Sequence, residues 1–69
     1  MSSNLSSVDD GIRFAMGYPG EDMSVMEKET PYHGRFHVIR QPYVDGYIER
    51  GYIVRAEITW KPEVTRHDR

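Results

Sequence analysis

Residues 51–61, read as GYIVRAEITWK, carry the clearest pattern of apolar and polar positions in the chain. Tyr52, Val54, Ala56, Ile58 and Trp60 alternate strictly with Ile53, Arg55, Glu57, Thr59 and Lys61. Neighbouring side chains on a strand point to opposite faces, so five apolar residues at period two predict a half-buried strand. Residues 34–44 alternate in the same way, with Phe36 and Val38 on one face and Arg35, His37 and Ile39 on the other. Asp45-Gly46 between the two segments is a hairpin signal. A two-residue loop there would oppose Val54 to His37. One extra residue in the second strand instead opposes Val54 to Val38, Ala56 to Phe36, Ile58 to Gly34 and Trp60 to Tyr32. The pattern therefore predicts a hairpin with a β-bulge near Arg50 and Gly51, because glycine accepts the left-handed backbone that many bulges need.

Upstream, two periodicities compete for the same residues. Val8, Ile12, Ala15 and Met16 share one helical face, whereas Ile12, Phe14, Met16 and Tyr18 alternate as on a strand. Ser7 as N-cap, Asp9 and Asp10 in the first turn, and Gly17 followed by Pro19 favour a short helix. Residues 18–22, Tyr-Pro-Gly-Glu-Asp, predict a turn in which Pro presets one dihedral and Gly takes a positive φ. Residues 23–29 read as a strand ended by Pro31. Residues 1–6 suit a disordered tail, 7–62 a single small domain, and 63–69 a charged tail that frays. The duplicated Gly-Tyr-Ile at 46–48 and 51–53 is too short to define a repeat architecture.

The predicted fold is α+β: a small single domain with a curled antiparallel sheet of three to four strands and one short N-terminal helix. An all-β open barrel is the alternative if 12–18 form a strand. Composition agrees, with eleven Val and Ile and eight aromatics against one Leu and two Ala, a set that fits a pleated surface better than a helix. A chain of 69 residues buries only ~60% of the surface it exposes when unfolded. There is no cysteine, so a disulfide cannot supplement the core, which points to a homo-oligomer or to docking on a partner. No apolar run nears the ~20 residues of a membrane span and the N-terminus lacks a signal-peptide pattern, so a soluble cytoplasmic protein with no membrane partner is expected.

Net charge is −2. Residues 1–30 hold six acids and two bases, while 31–69 hold seven bases and five acids, a balance that disfavours a dedicated duplex-DNA binder. In the expected hairpin the outer face pairs Ile53 with Ile39, Arg55 with His37, and Glu57 with Arg35. Arg35, His37, Arg55 and Lys61 then form a basic stripe around exposed Ile39 and Ile53, a candidate binding face. His33 and His37 lie ~13 Å apart on a strand, too far to share one zinc, and no metal or other cofactor is expected. His37 beside Glu57 could act as a base with its orienting carboxylate, but no pocket, nucleophilic Cys or phosphate loop accompanies them.

Arg50-Gly51-Tyr52 copies the opening of the RNP1 pattern of RNA-recognition domains, and the following residues depart from it, so no family follows. Tyr32, Tyr43, Tyr47, Tyr52 and Trp60, interleaved with Arg, could still stack single-stranded nucleic acid. The first functional expectation is a non-catalytic protein-binding module, an accessory subunit or inhibitor that acts through a sheet face or edge and self-associates. Single-stranded nucleic-acid binding is the alternative, and a small enzyme subunit using His37 and Glu57 is the third.

Overall fold

A computed structural model describes residues 5–31 and 34–67. Two helices and four strands follow in the order α1 (Val8–Met16), β1 (Met23–Thr30), β2 (Gly34–Arg40), α2 (Gln41–Glu49), β3 (Ile53–Ile58) and β4 (Val64–Arg66). The strands form one antiparallel sheet in the order β2-β1-β3-β4. The α+β expectation holds, and the open barrel is excluded by the two helices. The expected tail 1–6 lies mostly outside the described residues, as do Tyr32 and His33.

Helix α1 forms where its start and stop signals place it. Ser7 Oγ accepts from the Asp10 N–H at 3.1 Å, while the Asp10 carboxylate accepts from the Ser6 N–H and hydroxyl at 3.1 and 2.7 Å. These bonds to Ser6 are the main reason the Asp10 pKa lies below the ordinary carboxylate range. Ile12 and Ala15 face the sheet and join Met23, Val25, Ala56 and Ile58 in the core, with Val8 and Val38 at its margin. Gly11 sits against Val25 so closely that a Cβ there would lie 2.7 Å from Val25 Cγ1. The turn after α1 also follows expectation, and Gly20 takes φ +97°.

The expected hairpin across Asp45-Gly46 does not form. Residues 41–49 are helical, and β1 lies between β2 and β3. Pro42 occupies the first turn, where its missing N–H costs nothing, and Val44 is buried under the helix. Those terms outweigh the turn preference of Asp-Gly. Gly51 does adopt the left-handed conformation, φ +97°, but as a helix terminator rather than a bulge. Gly51 N–H donates to the Ile48 carbonyl at 3.0 Å and Tyr52 N–H to the Tyr47 carbonyl at 3.1 Å. The Tyr47 and Tyr52 rings meet at 5.0 Å, which completes a Schellman cap with its apolar contact.

A bulge does occur, four residues further on. Val25 opposes Ala56 but Met26 opposes Val54, so Arg55 is the extra residue of β3. Adjacent residues of β1 face opposite ways, and the even-numbered residues of β3 therefore divide. Ala56 and Ile58 face α1, while Val54 lies on the other side with Met26, the side on which Tyr52 meets Tyr47 of α2. Helix α2 covers that second face: Val44 is 4% exposed, Met26 is fully buried, and Ser24 Oγ meets Gln41 Oε1 at 3.3 Å. Burial on both faces explains the continuous run Met23, Ser24, Val25 and Met26 in the interior. Finally, residues 64–66 of the expected frayed tail pair with β3 as β4.

Candidate functional site

With a helix over each face, the outer edge of β2 is the longest uncovered element of the sheet. Gln41 N–H donates to the Asp22 carbonyl at 3.0 Å, extending the ladder in which Met23 opposes Arg40 and Ser24 opposes Ile39. Opposed residues in an antiparallel ladder alternate between pairs that exchange backbone bonds and pairs that do not. Ile39 and His37 thus bond to β1, whereas the N–H and C=O groups of Phe36, Val38 and Arg40 point outward. No further strand of the described residues lies on that side.

Aromatic residues flank this edge. On the α1 side Phe14 and Tyr18 stand 40% and 54% exposed with ring centroids 5.3 Å apart. They line a hollow of about 270 Å³ with Met23, Val38 and Arg40. On the α2 side a groove of about 570 Å³ runs from Glu21 and Asp22 past Arg40 to Pro42 and Tyr43, and Tyr43 is 63% exposed. Arg40 lines both concavities and joins them at the end of β2.

The charges of the edge strand are neutralised within the chain. Arg40 Nε lies 3.1 Å from Glu21 Oε1 and Arg35 Nε 2.5 Å from Glu27 Oε2. Glu27, only 12% exposed in its side chain, also pairs with Arg55. Burial raises the Glu27 pKa, but hydrogen bonds and charge from Arg35 and Arg55 outweigh it and hold the carboxyl below the ordinary range.

The six binding residues anticipated from sequence do not share one stripe. Arg35 and Arg55 come together, but through Glu27 of the intervening strand rather than through a pair of Arg35 with Glu57. Ile39 is half-buried opposite Ser24 on the α2 face, and Ile53, 51% exposed, opposes Glu27 on the other face. His37 packs edge-on to Tyr52 at 5.4 Å, and its Nε2 is buried without a partner among the described residues. Lys61 Nζ lies 5.1 Å over the exposed Trp60 ring. Glu57 meets His67 Nε2 at 2.8 Å, so His37 and Glu57 do not form the expected pair. Among the described residues no three His, Cys, Asp or Glu side chains cluster as metal ligands, and no helix is long and apolar enough to cross a membrane.

Of the tyrosines expected to stack bases, Tyr47 and Tyr52 instead pack on each other, with Arg50 and Lys28 over their outer faces. Sequence reasoning missed Phe14 and Tyr18 as surface residues. Their signal was the rival alternation over 12–18: a helix apolar on two faces mimics a strand, and its second face is the one left exposed. Set against known proteins, the chain matches no family model, no curated protein and no solved structure.

Proposed function

We propose that the protein is a non-catalytic protein-binding module, an accessory subunit or inhibitor, that takes an extended backbone segment onto the outer edge of β2. The observation that carries this reading is the outward row of backbone groups on Phe36, Val38 and Arg40, which is not blunted. Exposed edges are ordinarily protected by Lys, Pro, bulges or brevity. Residues 34–40 contain neither Lys nor Pro, their pairing with β1 is unbroken from Phe36 to Arg40, and both arginines are matched by glutamates. Strand addition draws affinity from main-chain bonds and specificity from side pockets, and the hollows beside Phe14 and Tyr43 supply such pockets.

Two proline substitutions test it. Phe36→Pro removes an outward N–H and leaves the bonds to β1, a position that proline tolerates on an edge strand. Peptides selected from a displayed random library on the immobilised wild-type protein should lose binding to Phe36→Pro while its circular dichroism is retained. Equal binding to both proteins sinks the reading.

A further inference from the structure

Resting on that edge reading, we infer that the accepted segment runs antiparallel to β2 and carries an arginine followed directly by a large apolar residue. The apolar side chain fills the hollow beside Phe14 and Tyr18, and the arginine enters the groove beside Tyr43. Edge geometry fixes the spacing of the two residues, and the two concavities fix their chemistry.

The outward backbone groups are those of Phe36, Val38 and Arg40. Gly34 is engaged with β1 instead, opposing Thr30 and accepting from its hydroxyl at 2.9 Å. The usable row therefore sits toward the Arg40 end of β2, where both concavities open. Directly opposed residues of neighbouring strands share a face, and successive residues alternate. A residue set against Arg40 thus lies on the α1 face, over the hollow of about 270 Å³. The residue beside it, next to Gln41, lies on the α2 face over the groove of about 570 Å³. Antiparallel pairing is slightly the more stable per residue and matches every other ladder of the sheet. A segment running that way reaches Gln41 first and Arg40 second, so the groove residue immediately precedes the hollow residue.

The hollow has the Phe14 and Tyr18 rings, Met23 and Val38 as its walls, and its one charged lining residue, Arg40, is paired with Glu21 at 3.1 Å. A charge placed there would lose water without gaining a partner, so the hollow selects an apolar side chain. The groove differs. Glu21 and Asp22 set two carboxylates against the single guanidinium of Arg40, an excess of one negative charge. Asp22 Oδ1 accepts from the Trp60 N–H at 2.7 Å, and no Lys or Arg of the described residues forms an ion pair with it. Tyr43, 63% exposed, offers its ring in the same groove. An arginine suits this pairing of ring and carboxylate, because its planar guanidinium stacks on an aromatic face and donates in a fork to a carboxylate.

Peptides retained from a displayed random library by the wild type and not by Phe36→Pro should share an arginine followed at once by a large apolar residue. One such peptide, made synthetically, should bind Glu21→Gln/Asp22→Asn roughly tenfold more weakly than the wild type, and asparagine keeps an acceptor for the Trp60 N–H. With glutamine in place of its arginine, the peptide should bind both proteins equally. Phe14→Ala, at an exposed position, should weaken the parent peptide but not one whose apolar residue is alanine. Peptides retained in the same selective way without that pair, or with its order reversed, overturn this inference and leave the edge reading standing. So does an arginine whose replacement costs the wild type and the double variant equally. A wild-type dimer in light scattering that the peptide fails to dissociate shows the edge taken by a second copy, and likewise overturns it. A library yielding nothing that the wild type retains over Phe36→Pro removes the edge reading, and this inference falls with it.

Discussion

The two edges of the sheet are built on opposite terms. Strand β2 runs seven residues, Gly34–Arg40, with its charges paired inward and aromatic hollows on both sides. Strand β4 is three exposed residues, Val64–Arg66, following Pro62 and the turn closed by Thr59 N–H on the Glu63 carbonyl. It is held by the surface ion pair of Arg66 with Asp9 and by the contact of His67 Nε2 with Glu57. Brevity and charge are standard protection for an edge, and only β4 has both. The difference teaches that one edge of the sheet is short and charged, while the other is long and uncovered by any strand of the described residues.

The largest effect should come from exchanging inner for outer on β2. His37→Pro removes a bond to β1 and strands a buried acceptor, a cost on the order of 3 kcal/mol or more once the ring's fixed φ is included. In a domain whose whole stability is ~0.05–0.15 kcal/mol per residue, its cooperative thermal melt should vanish, whereas Phe36→Pro keeps one. Indistinguishable melts would refute the assignment of inward and outward groups. Next comes the centre that both edges share. Gly11→Ala gains up to ~1 kcal/mol of helix propensity but forces a methyl into Val25, and overpacking of this kind costs ~1–3 kcal/mol. A net lowering of the urea midpoint is expected, and a rise would show that α1 can lift from β1 freely.

Glu27→Gln tests the neutralisation of the β2 edge. It removes the carboxylate between Arg35 and Arg55 and should cost ~1–2 kcal/mol at neutral pH. Because the Glu27 pKa is depressed on folding, its contribution is fully present above the ordinary carboxylate range and is lost as pH falls through the lower folded value. The wild type should therefore lose stability across that acidic window, and the variant should lose less of it. Parallel pH profiles in chemical denaturation would show that the ion pairs contribute nothing. The smallest effect belongs to β4: Arg66→Ala breaks an exposed pair and should change stability by ~0.2–1 kcal/mol, measurable as a small midpoint shift with no change in association.

Much of one half of the fold was legible and much of the other was not, for reasons that sit in particular residues. Ser7, Asp10 and the turn at Pro19-Gly20 act through bonds between near neighbours, and sequence reads such bonds well. Asp45-Gly46 misled because the decision between hairpin and helix depends on burying Val44 against β1, a contact no local pattern contains. The alternation over 52–60 misled more deeply, since it is real but serves two helices in turn. Of the anticipated binding residues, Arg35 and Arg55 do converge, through a glutamate of a strand expected elsewhere. Phe14, Tyr18 and Tyr43 became visible as flanks only once β2 was known to be an edge.

Arg55 has a consequence for the length of the chain. As the extra residue of β3, it shifts the phase of the strand by half a period, letting Tyr52 lie under α2 while Ile58 lies under α1. Deleting it would leave Val54 opposite Met26 and Ile53 opposite Glu27 and close the ladder with β1 without an extra residue, so each remaining side chain of the strand would keep its face. A substitution at 55 would act on the contact with Glu27 alone, whereas the loss of the residue would remove that contact and the bend of the bulged strand together. The extra residue bends the strand, and its side chain places a cation beside Glu27.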